Sequence, residues 1–429
     1  MFEGRFMRVR GICLGCKVNT YEMEYILAKF SEKGYDITDG YADIYIINTC
    51  SVTNTSDAKS RKVINRVVRE NPNALIVVMG CMIEANKDYD NDKVGIIIGN
   101  KDKSKVVMLC EEYLKNRQKK KILYSDFDLE FEDMFIKNMP GRTRAFVKIQ
   151  DGCENFCSYC IIPFTRGRCR SKNSKIVLQE IKELINNGYQ EIVLTGIHTG
   201  HYGEDKDISF PKLLEKIAKI NNLERLRISS IEVTELTDEF LKVLEENKNI
   251  VSHLHIPLQS GSDKILKLMN RKYNTKYFKD KIDSIRKIRP EISITTDIIV
   301  GFLGEDENDF QDTINFSKEI CFSKIHVFPY SVRSFTKAES MPNQVDEKVK
   351  KERVSRLMEI SNQLERKYLD KFVNQDVVVL IENSNDEKAV GHTENYLKVF
   401  VNGYHQKNTF VNVLIKKRID NYLEGEEND

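Results

Sequence analysis

The chain reads as an α/β multidomain protein in three parts: an N-terminal parallel α/β sheet domain, a partial (β/α)6 barrel and a small C-terminal β-barrel. Three observations predict this. Apolar runs alternate with helical patterns over residues 1–113, and the alternation resumes near residue 145. A charge-rich stretch without a sustained period, "KNRQKKKILYSDFDLEFEDMFIKNMPG", separates the two and ends in Pro-Gly. After residue 371 strand-like runs divided by turns replace the helical period. The expected domains are 1–113, 139–370 and 371–429.

In the first part the strand runs are "RVRGICLG", "DIYIINT", "LIVVMG" and "VGIIIGN", with helices over 20–33, 56–70 and 103–116. Cys16, Cys50 and Cys81 each follow a strand run, in "LGCKVN", "INTCSVT" and "MGCMIE". Open parallel sheets build their sites at the carboxyl ends of their strands, so the three can share one crevice. Cys13, Cys110 and Cys321 lie in apolar or helical patterns and read as small buried hydrophobes.

The second part has six strand runs, "AFVKIQ", "EIVLTG", "RLRISS", "HLHIPL", "SITTDIIVG" and "KIHVFPY". Helical patterns between them include 174–188, 234–246, 275–289 and 306–320. Six units fall short of the eight that close a barrel. A long charged helix over 345–372 leads to the last part, whose runs are "QDVVVLIENS", "KAVGHTENYLKVFVNG" and "NTFVNVLIKKR". The acidic tail "EGEEND" is expected to be disordered.

Composition narrows the function classes. At 429 residues the chain exceeds one ordinary core. Its 67 basic and 65 acidic residues leave a net charge of +2, so nucleic-acid binding would have to rest on local patches. No apolar run reaches the roughly 18 residues of a membrane span. The N-terminus "MFEGRFMRVRGICLGC" has no signal-peptide core. The expected compartment is the cytoplasm, where clustered cysteines more often serve metals, clusters or redox chemistry than disulfides.

Chemistry concentrates in "DGCENFCSYCIIP", where Cys153, Cys157 and Cys160 follow the first barrel strand. Three thiolates on one loop can hold three corners of a cubane iron–sulfur cluster and leave one iron open to a small molecule. A zinc site completed by Cys169, or a redox pair of Cys157 and Cys160, are the competing readings. Polar and glycine residues at later strand ends are candidate cofactor contacts: Thr195 and Gly196, Ser230 and Glu232, Gln259 and Ser260, Asp297 and Gly301.

The spacing C-x3-C-x2-C after a first barrel strand resembles the radical S-adenosylmethionine (SAM) superfamily. Both cysteine trios, "HLHIPLQSGSDKILKLMNRKY" and a C-terminal β-domain together resemble the methylthiotransferases along nearly the whole chain. That resemblance implies two 4Fe–4S clusters. One, on Cys153, Cys157 and Cys160, binds and cleaves SAM. The other, on Cys16, Cys50 and Cys81, carries the sulfur to be inserted. It also implies a transferase that draws hydrogen from a C–H bond with a 5′-deoxyadenosyl radical, and methylates the sulfur from a second SAM. Its partners would be tRNA, a flavodoxin- or ferredoxin-like electron donor and a sulfur donor of unknown kind, with no membrane. The C-terminal β-domain would be a TRAM domain that binds RNA.

Three branches of the family act on isopentenyl-adenosine in tRNA, on threonylcarbamoyl-adenosine in tRNA, or on an aspartate of a ribosomal protein. "LGCKVNTYEME", "NTCSVTNTSDAKSR" and "VGHTENYLKVFV" resemble the threonylcarbamoyl-adenosine branch, with Lys17 and Val18 where the isopentenyl branch would carry glutamine and methionine. The expected reaction is therefore methylthiolation of C2 of that nucleoside next to the anticodon. A non-catalytic metal-containing RNA-binding protein is the alternative from another class. Leu303 and Phe335 depart from the family pattern, which has proline and glycine there.

For RNA, residues 133–175 carry nine Lys or Arg against three acidic residues. "TRGRCRSK" (Arg166, Arg168, Arg170, Lys172) reads as a basic surface suited to phosphates. The β-domain has six Lys or Arg against ten acidic residues from 372 onward, so stacking by Tyr396 or Tyr404 and the "KKR" at 416–418 would have to contribute.

Overall fold

A six-stranded parallel sheet forms the N-terminal unit of the computed structural model, which describes residues 7–123, 130–206 and 208–428. Its strands are β1 (Arg8–Cys13), β2 (Asp36–Ile37), β3 (Ile44–Thr49), β4 (Leu75–Gly80), β5 (Ile96–Ile98) and β6 (Lys120–Ile122), in the order β2-β1-β3-β4-β5-β6. Helices α1 (Lys17–Glu32), α2 (Asn54–Glu70), α3 (Cys81–Ala85) and α4 (Val106–Asn116) connect them. Every position of β3 and β4 is buried, which is why both are written as unbroken apolar runs: helices cover both faces. Ile44, Ile46, Val77 and Met79 pack under α1 and α4, while Tyr45, Ile47, Ile76 and Val78 pack under α2. β6 pairs with β5 inside the stretch read as a linker, so the sheet continues past the boundary expected at residue 113. Residues 124–129 of that stretch lie outside the described residues.

The second unit begins with β7 (Arg144–Lys148) and a two-residue antiparallel pair, β8 (Gln150–Asp151) and β9 (Arg170–Ser171), that closes the base of the cysteine loop. β10 (Glu191–Thr195), β11 (Arg225–Ile228), β12 (His253–His255), β13 (Ser293–Val300) and β14 (Lys324–Pro329) follow. The helices are α5 (Ile162–Arg166), α6 (Ser174–Asn186), α7 (Phe210–Ala218), α8 (Asp238–Glu246), α9 (Asp263–Leu268), α10 (Thr275–Ile288), α11 (Glu307–Ile320) and α12 (Glu347–Asp370). Two parallel three-stranded sheets, β7-β10-β11 and β12-β13-β14, join through the Leu226–Ile250 bridge and the Ile231 amide, which donates to the His255 carbonyl at 3.0 Å. The result is one curved wall, open between β7 and β14.

The N-terminal unit closes that opening. On the β7 side Glu22 of α1 meets Lys148 at 2.9 Å and Arg166 at 3.1 Å, and it also pairs with Lys103 at 2.5 Å. These four side chains are at most 3% exposed. On the β14 side Arg333 donates to Asn54 and Ser51, each at 2.6 Å. Ion pairs this deeply buried add little net stability, but removing one partner strands the others.

The C-terminal unit is a closed five-stranded barrel of β15 (Asp376–Ser384), β16 (Lys388–His392), β17 (Lys398–Asn402), β18 (Phe410–Ile419) and β19 (Tyr422–Glu427), in the order β15-β16-β17-β19-β18. β19 corrects the expectation of a disordered acidic tail. Residues 424–427 pair with β18, Glu424 and Gly425 pair with β17 as well, and without this strand the barrel would have two open edges. The barrel seats against the amino ends of β7 and β11, where Arg225 donates to the Val378 carbonyl at 2.7 Å and Arg144 pairs with Glu382 at 2.5 Å.

Candidate active site

Because β1, β3 and β4 are hydrogen-bonded neighbours running the same way, their carboxyl ends stand side by side, about 4.8 Å apart per strand. A cysteine marks each exit. Cys16 caps α1, Cys50 follows β3 directly and Cys81 opens α3. Gly15, at φ +101°, folds the first exit over the second; a Cβ there would stand 2.8 Å from the Cys50 Cβ and 3.0 Å from its Sγ. Burial, together with the adjacent Cys81 and Cys16, pushes the Cys50 thiol up to about 11. The Asn100 amide donates to Cys81 Sγ at 3.4 Å and to the Thr165 carbonyl at 2.8 Å, tying this trio to the barrel unit.

Cys153, Cys157 and Cys160 occupy one loop shaped by its own backbone. Gly152, at φ +75°, lies so close to the Arg168 carbonyl that an added Cβ would sit 1.9 Å from its oxygen. The Cys153 amide donates to the Gly167 carbonyl at 3.0 Å, and the Cys160 amide to the Cys157 carbonyl at 2.9 Å. Phe156 takes a left-handed φ of 44°, held by Asn270, which donates to its carbonyl at 3.0 Å. Arg271 donates to Cys157 Sγ at 3.2 Å, and His198 Nδ1 lies 3.6 Å from Cys153 Sγ. Burial and the neighbouring Cys157 push the Cys160 thiol up to about 12.

Neither trio is drawn together to the spacing of a single ion. Tetrahedral zinc holds its sulfurs about 3.8 Å apart. Among the described residues, the ligand groups that close to within 4.8 Å are Cys169–His201–Glu204 and His198–His201–Glu235, and neither thiol trio is among them. Cys169 turns to His201 Nδ1, 3.8 Å away, instead of completing the loop trio. The raised thiols of Cys50 and Cys160 suit a cationic iron–sulfur core that would bind them as thiolates.

Both trios border open space. A cavity of about 800 Å³ runs down the inside of the curved wall, lined by Cys16, Lys17, Thr195, Gly196, Ser230 and Asp297 among others. A smaller cleft of about 190 Å³ lies against Cys160, Tyr159, Gln259, Ile299 and Tyr330. The two share Asp297 and Phe328 as a common wall.

Two of the candidate contacts face elsewhere: Ser260 is buried against Thr313 at 3.3 Å, and the Gly301 amide donates to Glu305 at 2.7 Å in a left-handed turn. Glu232 pairs with Arg271 beside the loop trio. Residues that sequence reasoning passed over include Arg271, Asn100, His198 and His255. Arg271 lies within the quoted "LMNRKY", and the histidine spacing of "GIHTGH" was the available signal for His198.

The basic surface is corrected at three of its four residues, and Arg168 is the exposed one. Arg166 and Lys172 are fully buried and Arg170 is 7% exposed. They pair with Glu22 and Asp151, with Glu180, and with Asp151 respectively. Of the 416–418 run, Lys416 meets Glu426, Lys417 meets Glu424 and Arg418 meets Asp370. Tyr396 is held between Arg144, Arg227 and His392 at the unit interface, while Tyr404 is 66% exposed. Cys13 and Cys321 are exposed, and only Cys110 is the buried hydrophobe expected. Leu303 fills an apolar cluster with Phe302 and Tyr330, and Phe335 sits exposed at a left-handed φ of 68°.

Comparison with known proteins agrees with this geometry. Residues 147–317 match the Radical SAM superfamily and residues 8–99 match Uncharacterized protein family UPF0004. The chain is 44% identical over 426 residues to the threonylcarbamoyladenosine tRNA methylthiotransferase MtaB of Bacillus subtilis (strain 168), covering 96% of this chain and 94% of that one. It is 36% identical to a tRNA-2-methylthio-N(6)-dimethylallyladenosine synthase of Thermoanaerobacter sp. (strain X514), covering 86% and 80%. In fold it is similar to the radical S-adenosylmethionine methyltransferase TsrM from Kitasatospora setae, with a TM-score of 0.57 at 10% identity over 78% of this chain and 74% of that one.

Proposed function

Because this chain belongs to the methylthiotransferase family of radical SAM enzymes, we propose that it methylthiolates C2 of N6-threonylcarbamoyladenosine in tRNA, next to the anticodon. The observation that carries the reading is the pair of thiol trios opening on two cavities with a common wall. Cys153, Cys157 and Cys160 would hold one 4Fe–4S cluster and Cys16, Cys50 and Cys81 the other. When bound, the clusters supply the electron that cleaves SAM and the sulfur that is transferred.

The protein's own residues position and shield that chemistry. Arg271 places a guanidinium against Cys157 and takes its counter-charge from Glu232, so the loop trio keeps a fixed donor. Tyr159, Ile299 and Tyr330 give the small cleft apolar walls that keep water from the Cys160 side of the loop trio. Asn100 holds Cys81 in register with the loop helix α5. The nucleoside would enter the larger cavity, which alone borders Cys16. A flavodoxin- or ferredoxin-like electron donor and a cytoplasmic setting belong to the same proposal; among the described residues no helix is long and apolar enough to cross a membrane.

Nucleoside mass spectrometry of tRNA from a deletion strain tests the substrate. The expected result is loss of 2-methylthio-N6-threonylcarbamoyladenosine, restored by the wild-type chain. Persistence of that nucleoside, or loss of the isopentenyl counterpart instead, overturns the reading.

A further inference from the structure

The lower part of the large cavity is lined by groups that neither thiol trio uses, and several of them form one relay. Asp297 Oδ2 lies 3.3 Å from His255 Nε2, His255 Nδ1 lies 2.9 Å from Thr295 Oγ1, and Thr295 Oγ1 lies 3.3 Å from His253 Nε2. A carboxylate only accepts, so with His255 neutral its proton sits on the nitrogen facing Asp297. His255 Nδ1 then accepts from the Thr295 hydroxyl, whose oxygen in turn accepts from His253 Nε2–H. This leaves His253 Nδ1 as a bare lone pair. It is buried without a hydrogen-bond partner among the described residues, on a side chain that lines the cavity. Burial and the neighbouring Arg227 keep that ring neutral.

The same void holds a cation without a partner. Lys17 lines it and makes no ion pair among the described residues, whereas Arg144 and Arg227, behind the wall residue Tyr396, are already engaged by Glu382 and Glu191. The acidic groups of the lining are already engaged, Asp297 by His255 and Glu365 by Lys324 at 2.9 Å. A cation without a partner and a buried acceptor without a donor specify a ligand that carries both an anion and a hydroxyl or N–H. An isopentenyl group has neither and would leave both unsatisfied.

We propose that this chamber is the recognition subsite for the amino-acid-derived substituent on N6 of the nucleoside, with Lys17 receiving its carboxylate and His253 Nδ1 accepting from its hydroxyl or N–H. This rests on the tRNA reading above and adds the residues that read the substituent. The amide oxygen of asparagine can replace the imidazole acceptor at position 253, whereas phenylalanine keeps a ring and removes it.

The test uses the anaerobically reconstituted full chain and two anticodon stem-loops, one bearing threonylcarbamoyladenosine and one bearing plain adenosine. Kd and kcat/KM are measured for the wild type and for Lys17→Gln, His253→Phe and His253→Asn, with iron content as the control for intact clusters. The wild type should prefer the modified stem-loop. Lys17→Gln and His253→Phe should each reduce that preference about 10- to 100-fold, with His253→Asn recovering most of it. Unchanged preference in His253→Phe at full iron content overturns the subsite. A wild type that does not distinguish the two stem-loops overturns the tRNA reading itself, a result separable from the first because it appears before any substitution.

Discussion

Cys153, Cys157 and Cys160 share one loop of about twenty residues, shaped by Gly152, Gly167 and a few backbone hydrogen bonds and braced from outside by Met269, Asn270 and Arg271. Cys16, Cys50 and Cys81 come instead from three strand ends and depend on the register of β1, β3 and β4. The loop trio is thus gathered by sequence and braced by tertiary contacts, whereas the strand-end trio is gathered by tertiary structure itself. The second therefore depends on whatever fixes the sheet against the barrel: Glu22, Arg166, Asn100 and Arg333. Damage to docking should reach the strand-end trio first, and damage to the loop backbone should spare it.

The largest effect is expected at Glu22. Glu22→Ala leaves Lys103, Lys148 and Arg166 buried with only Asp151 to balance the last two. The chain should lose about 3–5 kcal/mol, read as a shift of the denaturation midpoint in urea. A loss below about 1 kcal/mol would mean that docking does not rest on this network. Gly152→Ala should act on the other trio, since it forces a side chain into a left-handed turn and onto the Arg168 carbonyl. Reconstituted iron should fall from about eight to about four per chain, with far-UV circular dichroism unchanged. Full iron in this variant would contradict a glycine-dependent loop.

Asn100→Leu removes one hydrogen bond to a thiol and one to the Thr165 carbonyl. It should cost about 1–2 kcal/mol and speed release of iron to a chelator from the strand-end trio alone. Such release can be followed in a variant already lacking Cys153, Cys157 and Cys160. The smallest effect lies outside both regions. Phe335 is exposed at φ 68°, so Phe335→Gly should raise stability by about 1 kcal/mol in the same urea titration.

Legibility followed the same division. The loop trio could be read from spacing because it is gathered by sequence. The strand-end trio could be read from the position of each cysteine after an apolar run, which holds wherever a parallel sheet repeats one unit. What could not be read depended on partners far away in the chain. Arg166, Arg170 and Lys172 looked like a basic surface because Glu22, Asp151 and Glu180 are invisible to local charge counting. The acidic strand β19 looked like a tail because its value lies in closing the barrel between β17 and β18. β6 was hidden by two lysines in a three-residue edge strand. Glu232 was legible as a polar strand-end residue, but its pairing with Arg271, 39 positions away, was not.

Iron and SAM cleavage measured together on two triple variants test the central claim most directly. Wild type reconstituted without oxygen should hold about eight irons and cleave SAM on reduction. The variant lacking Cys16, Cys50 and Cys81 should hold about four irons and still cleave SAM, while the variant lacking Cys153, Cys157 and Cys160 should hold about four and cleave none. One zinc per chain with no cleavage in the wild type, or equal cleavage by both variants, would contradict two open clusters with separate tasks.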